Sequence, residues 1–347
     1  MDKEYEGLVE LAVNSDFCPV THSLESMELQ ISRLKNAGIS HIHWCYDWDG
    51  EYMLSQWEII QIAELLGKYG MKVKAIHGAE GTSRGKVVDG VNRFINRTRL
   101  PEKRKDITNP CEYNRQAGVE LVKNRIDLAA AIGAKEVVLH LVIPYEDFNN
   151  IPGAKEKWYE QVFKSFDQIE PYCRAKRIRI AIENMICTPI QYQIEKLEKL
   201  FERYDLDYMG FCCDTGHSNL MSPGDKKTDE FTDYRILINK FKHRLIALHI
   251  NDNKGIDWSL SPDHDGAIAK SDRHMIPYRG NLDWDYICRE IADSPYELPL
   301  TLEVAVPRVI REKATPEEIR DGLAEIRTVG TKLTDLVLQY RQTMPNQ

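Results

Sequence analysis

Between Ile180 and His217 the chain reads IAIENM, a helical segment, and then GFCCDTGH. Two apolar runs there each end abruptly on a carboxylate, Glu183 and Asp214, and the second has a histidine, His217, three residues further on. An apolar strand stops on an acid where that acid leaves the core, because burying it without partners costs several kcal/mol. The pattern repeats downstream, where LIALHIND carries His249 and LPLTLEV carries Glu303. Four successive strand-like segments thus each deliver one metal-competent side chain. Three carboxylates and one imidazole make a hard, oxygen-rich site that suits one divalent ion (Mn²⁺, Mg²⁺, Co²⁺ or Zn²⁺) and leaves positions for two substrate oxygens. Taken singly, a strand-end acid is more often a helix cap or an ion-pair partner; four on consecutive strands favour the metal.

For four such side chains to meet, their strands must converge, and the chain supplies the elements. GLVELAV (7–13), HIHWCY (41–46) and MKVKAIH (71–77) read as strands, separated by amphipathic helices over 23–35 and 54–69. That order is βαβαβ, which predicts a parallel sheet with right-handed crossovers. Beyond a long polar stretch come helices over 113–132, 155–177, 189–204, 234–243 and 282–292. They alternate with strands ending at His140, Glu183, Asp214, Ile250 and Val304, and a last helix runs from about 316 to 341. Eight strands alternating with helices predict an α/β fold, a (β/α)₈ TIM barrel forming one domain over 1–347. It has a long insertion after the third strand (about 78–112) and a C-terminal helical extension (about 312–347). The region 251–281 reads as a long functional loop. The C-terminal ends of barrel strands share one mouth, which gathers Glu183, Asp214, His249 and Glu303 around a single point.

Composition narrows the partners. A net charge of -8 argues against general affinity for nucleic acid or anionic membrane. The first residues, MDKEYEGLVEL, lack a basic-then-apolar signal, and no apolar run approaches the ~20 residues that span a bilayer. A soluble, cytoplasmic protein is expected. The eight cysteines form no CxxC pair and read as reduced thiols.

The motifs AIEN, CDTGH, LHIND and TLEV, in that order and spacing, resemble those of the xylose-isomerase-like superfamily of TIM barrels. That superfamily includes sugar isomerases, ketose 3-epimerases, inosose dehydratases and the endonuclease IV nucleases. The resemblance spans roughly residues 7–305. It implies that Glu183, Asp214, His249 and Glu303 are metal ligands and that His217 touches substrate or a second metal. PYRGNLDW (277–284) matches the family's PGxGxxDW turn and departs from it at Tyr278, where the family has glycine. The implied activity is that of a divalent-metal-dependent isomerase or epimerase of a small-molecule sugar or sugar phosphate. A proton beside a ketose carbonyl is weakly acidic, and metal coordination of the carbonyl and neighbouring hydroxyl oxygens stabilises the enediolate that its removal leaves. Glu183 and Glu303 are the implied catalytic acid/base pair: exchange between two faces is epimerisation, and transfer along one face is aldose–ketose isomerisation. An inosose-type dehydratase is an alternative for which CDTGH is equally apt. A second alternative is an endonuclease IV-like multi-zinc phosphodiesterase, because His77, His140, His217, His249 and His274 with Glu183, Asp214, Asp272 and Glu303 resemble that enzyme's nine-ligand pattern.

The remaining candidates would hold substrate. His77 and His140 end the third and fourth strands as polar mouth residues, and Asp272 and His274 belong to the long loop. Trp44, Tyr46 and Trp48, with Asp47 and Asp49, follow the second strand; aromatic faces beside carboxylates suit the apolar face and polar rim of a sugar. Lys254, Arg273 and Arg279 could hold substrate oxygens or a phosphate. The segment 83–105 holds eight basic residues against two acidic ones and reads as a solvated lid that also suits one phosphate group. The C-terminal helix could pack on its own barrel or on a partner's, which leaves a homo-oligomer open.

Overall fold

The structure, a computed structural model, describes residues 7–48, 50–79, 85–88, 91–94, 104–221, 233–306 and 314–344, with 85–88 and 91–94 as backbone. In chain order its elements are β1 (Val9–Asn14), α1 (Leu24–Asn36), β2 (Ile39–Trp44), α2 (Gln56–Tyr69), β3 (Lys72–Ala79), β4 (Gly85–Val88) and β5 (Val91–Phe94). Next come α3 (Glu112–Ile132), β6 (Glu136–Leu139), α4 (Tyr145–Asn150), α5 (Ala154–Lys176), β7 (Arg179–Glu183), α6 (Ile190–Arg203) and β8 (Met209–Asp214). The last are α7 (Thr215–Ser218), α8 (Arg235–Phe241), β9 (Leu245–His249), α9 (His264–Ser271), α10 (Trp284–Ala292), β10 (Thr301–Leu302) and α11 (Pro316–Thr343).

The helices begin and end where local chemistry satisfies their free backbone groups. Ser55 and Glu58 form a reciprocal capping box at α2, and Gly70, at φ 57°, closes it in the left-handed conformation. Thr315 and Glu318 do the same at the start of α11, with Pro316 in the first turn.

Eight strands form one parallel sheet in the order β10-β1-β2-β3-β6-β7-β8-β9. Ile250, just past β9, bridges in parallel to Leu302 and completes the ring. α11 follows the eighth strand and docks beside β1, where Gly330 lets the helix approach: a Cβ there would lie 2.4 Å from Leu11 Cδ2. All eight cysteines are free thiols, as composition suggested.

Two stretches differ from the sequence reading. Part of the insertion is a hairpin, β4 paired antiparallel with β5; Asp89-Gly90 between them is a hairpin signal that the polar character of the stretch obscured. Asp49 and most of the basic segment 83–105 lie outside the described residues. The region 251–281 is also not all loop, since α9 starts where the Asp263 side chain accepts from Gly266 N. That glycine lowers helix propensity and hides the helix from periodicity. No helix among the described residues is long and apolar enough to cross a membrane.

Gly330→Val is expected to lower the melting temperature by overpacking the α11–β1 contact, at a cost of about 1–3 kcal/mol. Thermal denaturation checks this, and an unchanged midpoint would contradict the close approach.

Candidate metal centre

Strand alternation builds the site. Val138, Ala181, Cys212 and Ala247 pack together, with Ile246, in a small buried cluster. Two residues further along each of the same strands stand His140, Glu183, Asp214 and His249, pointing inward at the mouth. Small residues below thus leave room for polar ones above.

Glu183, Asp214, His249 and Glu303 bring one donor atom each to within 4.8 Å of one another. His249 Nδ1 lies 3.2 Å from Glu183 Oε1, 3.3 Å from Glu303 Oε2 and 4.0 Å from Asp214 Oδ2. Both Glu183 oxygens and His249 Nδ1 are buried without a hydrogen-bond partner among the described residues. Buried polar atoms left so are costly, and here they converge on one point. The donor set, its burial and its orphaned atoms fit a divalent cation.

Two further groups flank this one. His77, His140 and Glu183 form the first, with His140 Nε2 at 3.1 Å and His77 Nε2 at 3.6 Å from Glu183 Oε2. His217, Asp272 and His274 form the second, with His274 Nε2 at 3.2 Å from Asp272 Oδ1 and His217 Nε2 at 3.7 Å from Asp272 Oδ2. His217 Nδ1 is 2.9 Å from the Asn184 carbonyl oxygen, and His274 Nδ1 is 3.0 Å from that of Glu303. A carbonyl oxygen can only accept, so each Nδ1 carries hydrogen, and a neutral ring keeps its lone pair on Nε2, facing Asp272. His274 holds this position at φ 43°, in left-handed backbone that its environment must enforce.

The groups set one another's protonation. Burial raises the Glu303 carboxyl to about 7 against the pull of His249 and His274. Burial would raise Glu183 too, but the charges of His249 and His140 hold it well below the usual carboxylate range. Burial opposes charge on His217, yet Asp214 and Asp272 lift it well above the ordinary imidazole value. For His274 the same contest, with Asp272 opposing burial, ends at about 9. Burial pushes His77 and His140 down.

Glu183, Glu303, His77, His140, His217, Asp272, His274 and Trp48 line one cleft, whose other wall includes Met185, Ile186, Cys187 and Val304. Asp214 and His249 lie beneath it, fully buried. Other candidates lie elsewhere. Trp44 belongs to the core, its ring 4.8 Å from that of Tyr46, because its position on β2 faces the helices rather than the barrel interior. Lys254 is exposed and outside the cleft wall. Arg279 pairs with Glu325 on α11. Asp47 pairs with His22, 2.8 Å away, and Arg273 is exposed.

The residues that brace the cluster are not among the sequence candidates. Asp214 receives hydrogen bonds from Asn251 Nδ2 on both carboxylate oxygens, and its backbone N–H donates to Asn184 Oδ1 at 2.9 Å. These asparagines belong to the AIEN and LHIND motifs themselves, which is where a signal existed. Asp214 Oδ1 also accepts from His217 N at 2.7 Å and caps α7, so a helix cap and a place in the metal-competent cluster are compatible. Buried Lys196 donates to the carbonyl oxygens of Leu141 and Glu183 at 3.0 and 3.3 Å, tying the ends of β6 and β7 together. Asp252 accepts from Gly280 N and Trp284 Nε1 at 3.0 and 3.1 Å and so fixes the 277–284 turn. Tyr278 takes that turn's left-handed conformation, φ 70°, with Lys332 Nζ 3.9 Å over its ring, which accounts for a non-glycine residue there.

A model of the xylose isomerase-like TIM barrel family matches residues 22–329. The chain belongs to that family. An uncharacterized protein, y4fM of Sinorhizobium fredii, is 32% identical over 325 residues, 93% of each chain. A probable endonuclease 4 of Bacillus licheniformis is 26% identical over 213 residues, 56% of this chain and 61% of the other. Among solved structures, that of an L-ribulose 3-epimerase superposes with a TM-score of 0.63 at 14% identity, covering 98% of this chain and 99% of the other. A D-tagatose 3-epimerase-like protein and a D-psicose 3-epimerase share the fold.

Zn²⁺ held by His217, Asp272 and His274 would have to displace a proton from each histidine, since His217 is lifted well above the ordinary imidazole value and His274 to about 9. Its affinity is therefore expected to rise with pH, by up to about a hundredfold per unit where both histidines are protonated. Zn²⁺ titrations from pH 6 to 9 check this, and a flat profile would contradict it.

Proposed function

We propose that this chain is a divalent-metal-dependent isomerase or epimerase of a sugar or sugar phosphate, with Glu183 and Glu303 as the acid/base pair. One observation carries the reading. From strands three places apart in the ring, the two glutamates approach the same nitrogen, His249 Nδ1, at 3.2 and 3.3 Å. Both also line the cleft, so a substrate carbon seated there has a carboxylate on either side.

Glu183, Asp214, His249 and Glu303 would hold a divalent cation, whose charge makes a carbon acid beside a carbonyl easier to ionise. Glu183, kept unprotonated by its histidines, takes the proton at a carboxylate oxygen. Glu303, with its carboxyl near 7, carries a proton to the other face at neutral pH. His140 and His217 present polar edges to the hydroxyls, while Trp48, Met185, Ile186 and Val304 give the sugar's C–H face an apolar surface and keep water away. The family fold, shared with ketose epimerases over nearly the whole chain, supports the same reading.

In this reading the wild type incorporates solvent deuterium into a ketose or ketose phosphate, and Glu183→Gln lowers the exchange rate by about 10²–10⁴-fold while circular dichroism stays unchanged. Exchange at the wild-type rate in that variant would sink the assignment.

A second reading rests on a separate observation, the two flanking groups of metal-competent side chains. Several cations in one cleft suit phosphate ester hydrolysis, in which they neutralise the phosphate and favour an attacking water. The partial likeness to an endonuclease 4 is consistent with this, while the net charge of -8 weighs against extended backbone contacts with nucleic acid. The isomerase reading predicts no turnover of bis(p-nitrophenyl) phosphate or of an abasic-site duplex in the presence of Zn²⁺. Turnover that disappears with Asp272→Ala would replace it with the second.

A further inference from the structure

His43, on β2, is fully buried beneath the cleft and makes two polar contacts. Its Nδ1 lies 3.0 Å from the backbone carbonyl oxygen of Ala75, and its Nε2 lies 3.0 Å from Nε2 of His249. Two imidazole nitrogens at this distance must divide the roles of donor and acceptor. The carbonyl oxygen of Ala75 decides which is which: it can only accept, so His43 Nδ1 carries the hydrogen. His43 makes no ion pair with a carboxylate among the described residues, and a charged ring so enclosed is costly. A neutral ring has one N–H, so His43 Nε2 is a bare acceptor and the hydrogen between the two rings belongs to His249 Nε2.

The consequence falls on the opposite nitrogen of His249. With hydrogen fixed on Nε2, the nitrogen that gives up its proton to a cation, and then offers a lone pair, is Nδ1, the atom that faces Glu183 at 3.2 Å and Glu303 at 3.3 Å. The other tautomer would aim an N–H at the carboxylates and spend the lone pair on His43.

We propose that His43 is a positioning residue: through the relay Ala75 C=O···H–Nδ1 His43 Nε2···H–Nε2 His249, it fixes the tautomer of His249 and turns a lone pair toward the carboxylate cluster. The proposal rests on the reading of His249 as a metal ligand. A hydrogen-bond partner on the distal nitrogen of a ligating histidine orients the ring and raises its basicity. Here a second histidine does so, itself polarised by the backbone of the neighbouring strand. The strand register supplies the geometry, since His43 pairs with Ala75 across β2 and β3.

Two variants separate the relay from plain packing. His43→Leu removes the acceptor, while His43→Gln places an amide oxygen where Nε2 was. Zn²⁺ affinity is measured by competition with a chromophoric chelator, and occupancy of this site is followed by the ¹⁵N shift of His249 Nδ1. Long-range ¹H–¹⁵N imidazole spectra of the wild type, with and without Zn²⁺, report the tautomers directly. His43 is expected as the Nδ1–H form in both states, with hydrogen on His249 Nε2. His43→Leu is expected to weaken Zn²⁺ binding about 10–100-fold, and His43→Gln to restore most of that loss, both with unchanged circular dichroism. Hydrogen on His43 Nε2, or wild-type Zn²⁺ affinity in His43→Leu, would overturn the proposal. The wild-type spectra decide it even if a variant fails to fold. A wild type that takes up no Zn²⁺ while showing these tautomers would refute the metal reading and leave the relay standing.

Discussion

The rest of the site depends on one buried charge. The Glu183 carboxylate is 1% exposed and has four imidazoles within 3.6 Å, those of His77, His140, His217 and His249. A carboxylate in an apolar barrel would ordinarily be neutralised by protonation. The charge of His249 and the close contacts of His140 and His217 oppose this and hold the carboxyl well below its usual range. Glu183 also belongs to both the central ligand group and the His77–His140 group, so it joins two parts of the cleft that would otherwise be independent.

Holding such a cluster requires rigid support from below and from the sides. Below lie Val138, Ala181, Cys212 and Ala247, none larger than valine, which leave room for the polar side chains above them. From the sides, Asn251 and Asn184 fix Asp214, Lys196 ties the ends of β6 and β7, and backbone carbonyls set the ring orientations of His217 and His274. Most of these supports come from within two residues of a ligand. The motifs therefore encode the candidate ligand and its brace together, and a substitution at either moves the same atoms.

Much of this was legible in the sequence because strand alternation and barrel geometry are local and periodic. Each apolar run ending on Glu183, Asp214 or His249 is a strand, and the mouth gathers them as expected. His77, His140, Asp272 and His274 also converge, although Asp272 and His274 lie in a stretch whose helix, α9, could not be read through Gly266. Trp44, Lys254 and Arg279 do not line the cleft, for different reasons. Which way an aromatic at a strand end faces depends on parity set by register, and a cation's partner depends on tertiary contacts such as that with Glu325 on α11. His43 sits in HIHW as one histidine among several, and nothing in that string distinguishes the ring that points at His249 from the one that does not.

The central claim is that Glu183, Asp214, His249 and Glu303 form a divalent-cation site serving proton exchange on a sugar. Metal content of the purified protein, counted per chain by elemental analysis and repeated on Asp214→Ala, tests it most directly. The account predicts about one Mn, Mg, Co or Zn per chain that is lost with Asp214. A wild type that neither carries nor takes up a divalent ion would contradict it, and two or three zinc ions would transfer the site to phosphate ester chemistry.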